Sequence, residues 1–139
     1  MKYVVDASVA VKWVVTEDDT LVAMQLVTSG DELIAPDFVM IETANILWKK
    51  VRRKQINTIQ ATTALATVRL PFSRFVASAG LLERAVAIAF KLDHPVYDCL
   101  YLALADSEDA VLITADHRLV AVAAGSDFKA RVALLGFNE

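Results

Sequence analysis

Apolar residues along this chain occur either as short, nearly continuous runs or as longer stretches spaced at the helical period. Lys2 to Asp6 is a short β-rich run that predicts a first strand, followed by a helical segment from about Ser8 to Val15. Between Asp18 and Ser29, the positions of Leu21, Val22, Met24, Leu26 and Val27 predict a helix that stops at Gly30. Glu32 to Ala35 is a brief strand, and Pro36 or Asp37 then opens a long helix running to about Lys54. Asn57-Thr58-Ile59-Gln60 reads as a capping box that starts another helix, to about Val68. Pro71 breaks that pattern, and Phe72 to Ala77 suits a short strand. Helices follow near Leu81 to Leu92 and Val96 to Ser107, then a buried strand at Val111 to Thr114. Asp116 to Ala124 is the last helix and Arg131 to Leu134 the last strand. Strands separated by helices imply a parallel sheet covered on both faces. The expected architecture is a three-layer α/β/α domain spanning 1–139, with no repeat or linker.

Four acidic residues break this pattern where charge is least tolerable: Asp6, Glu42, Asp98 and Asp116 each follow a run of mostly apolar residues. A carboxylate in such surroundings must neutralise, find a cation or accept several hydrogen bonds. No lysine or arginine is adjacent in sequence to any of the four. In open α/β sheets, ligands bind outside the carboxyl ends of the strands. Asp6 and Asp116 each close a strand, and Asp98 lies in the first turn of a helix pre-set by Pro95. Glu42 lies early in the long helix, roughly 7 to 8 Å along its axis. Topology alone therefore places all four on one rim. Each also has an ordinary role open to it: Asp116 as a helix cap, Asp98 as a complement to the helix dipole, Asp6 as a turn residue.

Composition narrows the classes. With 139 residues, 56% of them hydrophobic, and a mean hydropathy of +0.46, the chain can bury a substantial core. No stretch approaches the roughly 18 uncharged apolar residues needed to span a bilayer, so no membrane association is expected. The start, Met1-Lys2-Tyr3-Val4-Val5-Asp6, meets an acid before any signal-peptide core forms. The single cysteine, Cys99, suits a reducing compartment, and a cytoplasmic protein is expected. A net charge of −3 excludes a generally basic nucleic-acid coat, so a polyanion would need a local basic patch. Such patches exist at Lys49, Lys50, Arg52, Arg53 and Lys54, and singly at Lys12 and Arg118. The aromatic rings of Trp13, Trp48 and Tyr101 could stack on bases, although core packing is the expectation for most of them.

Four segments together resemble one family. Asp6-Ala7-Ser8 with Val9-Ala10-Val11-Lys12-Trp13 is similar to the opening of PIN-domain nucleases, in particular the VapC-like toxins of toxin–antitoxin pairs. Ala35-Pro36 through Glu42-Thr43-Ala44-Asn45-Ile46-Leu47-Trp48-Lys49-Lys50 resembles the second acidic motif of that family. His94-Pro95-Val96-Tyr97-Asp98-Cys99-Leu100-Tyr101-Leu102-Ala103-Leu104-Ala105 resembles the third, and Leu112-Ile113-Thr114-Ala115-Asp116-His117-Arg118-Leu119 the fourth. The segments occur in order across nearly the whole chain. Departures are mild: Cys99 stands where a small residue is common, and Gln55 where glycine often ends the long helix.

The resemblance implies an endoribonuclease dependent on Mg²⁺ or Mn²⁺, with Asp6, Glu42, Asp98 and Asp116 as the catalytic acids. It further implies Asp6 and Asp98 as direct metal ligands, Glu42 as base or water-orienting group, and Asp116 at a second position. A homodimer and a small cognate antitoxin protein are the implied partners, with RNA as substrate. Elementary chemistry agrees with the ion: oxygen donors suit Mg²⁺ or Mn²⁺, and the Cys/His clusters of a zinc site are absent. His94 and His117 read as isolated and not as ligands. Ser8 and Thr114 are candidates to support the carboxylates, and Lys12 and Arg118 to hold phosphate. Two other readings compete. A phosphatase of the haloacid-dehalogenase type wants an acid where Ser8 stands, and a receiver-type phosphoacceptor wants a paired acid and a late lysine. A catalytically silent PIN-like module binding RNA or protein would be expected to have lost one or more acids, and all four are present.

Overall fold

The computed structural model describes residues 1–136. Its five strands form one parallel sheet: β1 (Lys2–Val5), β2 (Glu32–Pro36), β3 (Arg74–Val76), β4 (Val111–Thr114) and β5 (Val132–Leu134), in the order β3-β2-β1-β4-β5. Helices α1 (Ala7–Ala10), α2 (Thr20–Thr28), α3 (Phe38–Arg52), α4 (Thr58–Val68), α5 (Leu82–Leu92), α6 (Val96–Ser107) and α7 (His117–Ala124) connect and cover them. This is the expected three-layer α/β/α arrangement. The chain builds outward from β1 through β2 to β3, then returns across the sheet to lay β4 on the other side of β1. The order therefore reverses between β1 and β4, where a crevice opens at the carboxyl ends of the strands. Register pairs Val5 with Ile113, so Asp6 emerges beside Thr114.

Local sequence explains the elements well. Asn57 and Gln60 form the reciprocal capping box at 2.8 Å in each direction. Gly30, at φ 82°, closes the segment after α2 in the left-handed region that an L side chain resists. Helix α6 is apolar almost throughout, with every residue from Cys99 to Ala105 buried against the sheet. Such a helix can sit only in the interior.

Three boundaries differ from the sequence expectation. The helix expected from Ser8 to Val15 is a single α-turn, continued by a tighter 3₁₀ turn at Val11–Trp13. Its β-branched residues Val9, Val11, Val14 and Val15 favour helix weakly. The tighter turn also brings the Trp13 indole to Ala23 O, to which it donates at 2.9 Å, and onto Phe72 at 5.3 Å. Helix α3 ends at Arg52, and the left-handed residue that follows is Lys54 at φ 59°, one before Gln55. The segment expected to begin a helix at Leu81 first makes a 3₁₀ turn at Ser78–Leu81. Among the described residues no helix is long and apolar enough to cross a membrane.

Candidate active site

Asp6 follows β1 directly and caps α1, which places a charge-bearing group at the reversal point of the sheet. It is only 4% exposed. Its Oδ1 accepts from Ser8 Oγ at 2.6 Å and from the Val9 amide at 3.3 Å. Its Oδ2 accepts from Thr114 Oγ1, at the end of the neighbouring strand. Both hydroxyls are themselves held. Ser8 Oγ accepts from the Ala115 amide at 3.1 Å, and Thr114 Oγ1 from the Asp116 amide at 3.1 Å. Ser8 and Thr114 are thus committed donors that tie the ends of β1 and β4 together around one carboxylate.

Glu42 reaches the same crevice from α3, where its Oε1 accepts from the Tyr101 hydroxyl at 2.6 Å. Asp98, in the first turn of α6, meets His94 Nε2 through Oδ2 at 2.7 Å. Asp116 caps α7: its Oδ1 accepts from the amides of Arg118 at 2.9 Å and Leu119 at 3.3 Å. Capping and membership of the rim therefore coexist in this residue.

The electrostatics show which acids share a field. Burial pushes the Asp6 carboxyl up to about 7, against the lowering effect of Ser8 and Thr114, and the charge of Glu42 pushes the same way. Glu42 is raised by burial, opposed by the Tyr101 hydroxyl, and raised further by Asp98. The charge of Glu42 thus bears on Asp6 and that of Asp98 on Glu42, while the Asp116 backbone amide is tied to Thr114 Oγ1 beside Asp6. Burial and the Asp98 charge also push the Cys99 thiol up to about 11, which leaves it protonated and inert.

The one ionic contact to any of the four acids, among the described residues, is that from His94 to Asp98. Lysine and arginine do not neutralise this rim. Nor do three His, Cys, Asp or Glu side chains close into a ready-made cage among the described residues, so the arrangement is an open rim. Oxygen donors with no lysine or arginine between them, two of which (Asp6 and Glu42) are raised chiefly by burial, fit a hard divalent cation.

The basic candidates separate. Lys12, the candidate to hold phosphate near this rim, is paired within the fold. Its ammonium is 12% exposed and bound to Glu17 at 2.7 Å, with Asp19 at 3.8 Å. Lys50 reaches the same Glu17 at 2.6 Å, so one acid binds two cations that looked free in the sequence. Arg118 is exposed, with its backbone fixed by Asp116. Tyr101 is buried, as is most of Trp13, whereas Trp48 is 55% exposed beneath the Arg52 guanidinium at 5.5 Å.

Two site residues escaped the sequence reading. His94 looked isolated, although it stands four positions before Asp98, a spacing that could have flagged it. Tyr101 looked like packing, and no local signal links it to Glu42, 59 positions away.

The reversal-point crevice and its carboxylate rim define a class: α/β/α domains that work on ligands at the carboxyl edge of a parallel sheet. The chain belongs to the PIN domain family, whose model matches residues 3–125. It is 35% identical over 121 residues to "Ribonuclease VapC3" of Pyrobaculum aerophilum, covering 86% of this chain and 92% of that relative. It is 34% identical over 117 residues to "Ribonuclease VapC9" of Mycobacterium tuberculosis, covering 84% and 87%. Among solved structures, that of PAE2754 from Pyrobaculum aerophilum superposes with a TM-score of 0.69 at 25% identity, over 88% of this chain and 79% of that one. The Mycobacterium tuberculosis toxin VapC20, described as cleaving the sarcin-ricin loop, superposes at 0.67 with 19% identity, over 93% and 98%, and shows the shared fold.

Proposed function

We propose that this chain, as one domain over 1–139, is a Mg²⁺- or Mn²⁺-dependent endoribonuclease acting as the toxin of a toxin–antitoxin pair. The observation that carries the reading is the set of Asp6, Glu42 and Asp98 left without lysine or arginine, with the Asp6 and Glu42 carboxyls raised by burial and by a neighbouring carboxylate. VapC ribonuclease relatives at 34–35% identity over more than four-fifths of the chain support it.

Asp6 and Asp98 are the residues to hold the ion, with Asp116 completing a second position. When bound, such an ion lowers the pKa of a coordinated water and offsets charge building on the phosphate. Glu42 is suited to take the proton of the attacking water, because its carboxyl is already raised above the ordinary value. Tyr101 holds the Glu42 carboxylate by donating to Oε1. Ser8 and Thr114 keep both Asp6 oxygens in place without neutralising them. Water attacks phosphorus, one P–O bond of the backbone breaks, and the leaving oxygen takes a proton. Hydrolysis by water forms no 2′,3′-cyclic phosphate. The deciding experiment incubates purified protein with total RNA in Mg²⁺, Mn²⁺ or EDTA and maps the cut ends. Cleavage that persists in EDTA, or cyclic ends, overturns the mechanism.

Two basic residues make opposite predictions. Arg118→Ala is expected to weaken RNA binding and to lower the slope of log affinity against log salt by about 0.7, the value for one single-strand phosphate contact. Lys12→Ala is expected to leave that slope unchanged and to cost about 1–2 kcal/mol of stability in urea unfolding, because it strips a partly buried Glu17 of a partner. A shallower salt slope with an unaltered urea midpoint would return Lys12 to the RNA. The partners in this reading are RNA, a cognate antitoxin protein and a second copy of the chain. Light scattering that shows only monomer at high concentration would count against the homodimer.

A further inference from the structure

His94 is a buried group at the rim that neither sequence nor mechanism has used. Its imidazole is 3% exposed. It sits in a short connection between α5 and α6 that has little freedom: Asp93 is left-handed at φ 51°, and Pro95 holds φ at −55°. The His94 amide donates to Ala89 O at 3.1 Å, which anchors the connection to α5. From that anchored position Nε2 lies 2.7 Å from Asp98 Oδ2, while Nδ1 is buried with no hydrogen-bond partner.

The two nitrogens therefore have unequal roles. With the proton on Nε2, the ring donates to Oδ2 and its Nδ1 lone pair is left without a partner. With the proton on Nδ1, two lone pairs would confront each other at 2.7 Å, and a buried N–H would be left unpaired as well. The first tautomer is the one the geometry accommodates.

We propose that His94 is a positioning residue, which engages one oxygen of Asp98 and so presents the other, Oδ1, as a single-oxygen ligand to the divalent cation. This rests on the reading of the acidic rim as a metal site. An aspartate free to rotate can offer two oxygens to one ion, whereas with Oδ2 engaged by His94 it is Oδ1 that keeps both lone pairs open. Single-oxygen donation suits a small ion that keeps several waters, more than a large ion that takes both oxygens of a carboxylate. Hydrogen-bond partners behind a ligand commonly contribute 10- to 100-fold in metal affinity. Burial makes this partner durable, since water has no access to replace it.

The test is Mn²⁺ binding to the intact protein without RNA, followed by electron paramagnetic resonance or calorimetry. His94→Phe fills the ring's space without a donor and is expected to weaken Mn²⁺ binding by about 10- to 100-fold. His94→Gln can bring a side-chain N–H to the position of Nε2 and is expected to recover most of that loss. Equal binding by wild type and both variants overturns the proposal, and so does equal loss in both, which would make the role packing alone. If His94→Phe does not fold, ¹⁵N NMR of the wild-type imidazole decides: a ring protonated on Nδ1 and not on Nε2 overturns the proposal. Wild-type protein that binds no Mn²⁺ overturns the metal-site reading, and this proposal with it. Tight wild-type binding with a flat His94 series removes this proposal alone.

Discussion

Asp98→Asn is expected to lower the rate of RNA cleavage by about three orders of magnitude while the fold survives. The magnitude follows from losing several kcal/mol of charge stabilisation, at about 1.4 kcal/mol per decade of rate. The substitution keeps the shape of the side chain and an oxygen that can accept from His94, so the connection before α6 has no reason to move. What it removes is the negative charge for a cation at the rim. Asp6→Asn is expected to act similarly, because Ser8 and Thr114 still surround the amide. Single-turnover cleavage of a labelled RNA, with circular dichroism on the same samples, checks both. Near-normal cleavage by either folded variant would sink the assignment of these acids. Excess Mn²⁺ is not expected to restore the rate, since a carboxamide is a much weaker ligand than a carboxylate.

The second large effect concerns stability without metal. Asp6 has an ordinary carboxyl value of 3.8 when unfolded and is raised to about 7 in the fold. The folded state therefore holds the Asp6 proton more tightly than the unfolded state. The stability this contributes is fully present below the unfolded value and is lost as pH rises through about 7. The whole shift is worth about 4 kcal/mol, and about 2 kcal/mol of it falls between pH 5.5 and 8. Glu42 is raised too and acts in the same direction. Glu108 runs the opposite way: Arg74 and Lys2 hold it down at about 2, so its contribution is lost only in acid, below that window. In EDTA, urea unfolding is thus expected to show a less stable protein at pH 8 than at pH 5.5, and Mn²⁺ to reverse most of the difference. Asp6→Asn should flatten the profile and leave the metal-free protein more stable at pH 8 than wild type. A metal-free profile that rises from pH 5.5 to 8 would contradict the burial of an unneutralised Asp6. The rim's function thus has a cost in stability, concentrated in the residue that sits deepest.

Much of this was legible along the chain because it is encoded locally. The Asn57–Gln60 capping box depends on residues three apart, and the apolar run of α6 declares its own burial. Asp6 and Asp116 could be placed because a residue that ends a parallel strand has one edge to occupy. The first helix was misread in length because tertiary contacts from Trp13 to Ala23 and Phe72 reward a tighter turn than its spacing suggests. The pairing of Lys12 with Glu17 is not legible in the sequence, because the acid lies five positions away in a loop with no period to announce it. The only local sign of the His94 contact is its spacing four positions before Asp98, and that spacing does not say what the ring will meet.

By itself, then, the order of residues determined the layers, the parallel sheet and the edge on which four carboxylates stand, because apolar period and strand alternation act over a few residues. Tertiary structure alone decided how each carboxylate is held. Thr114 meets Asp6 across 108 positions and Tyr101 meets Glu42 across 59, and hydrogen bonds of that reach exist only once the sheet has closed. The same closure removed water from Asp6 and set its charge beside that of Glu42, and this desolvation turned an ordinary aspartate into a group that calls for a cation.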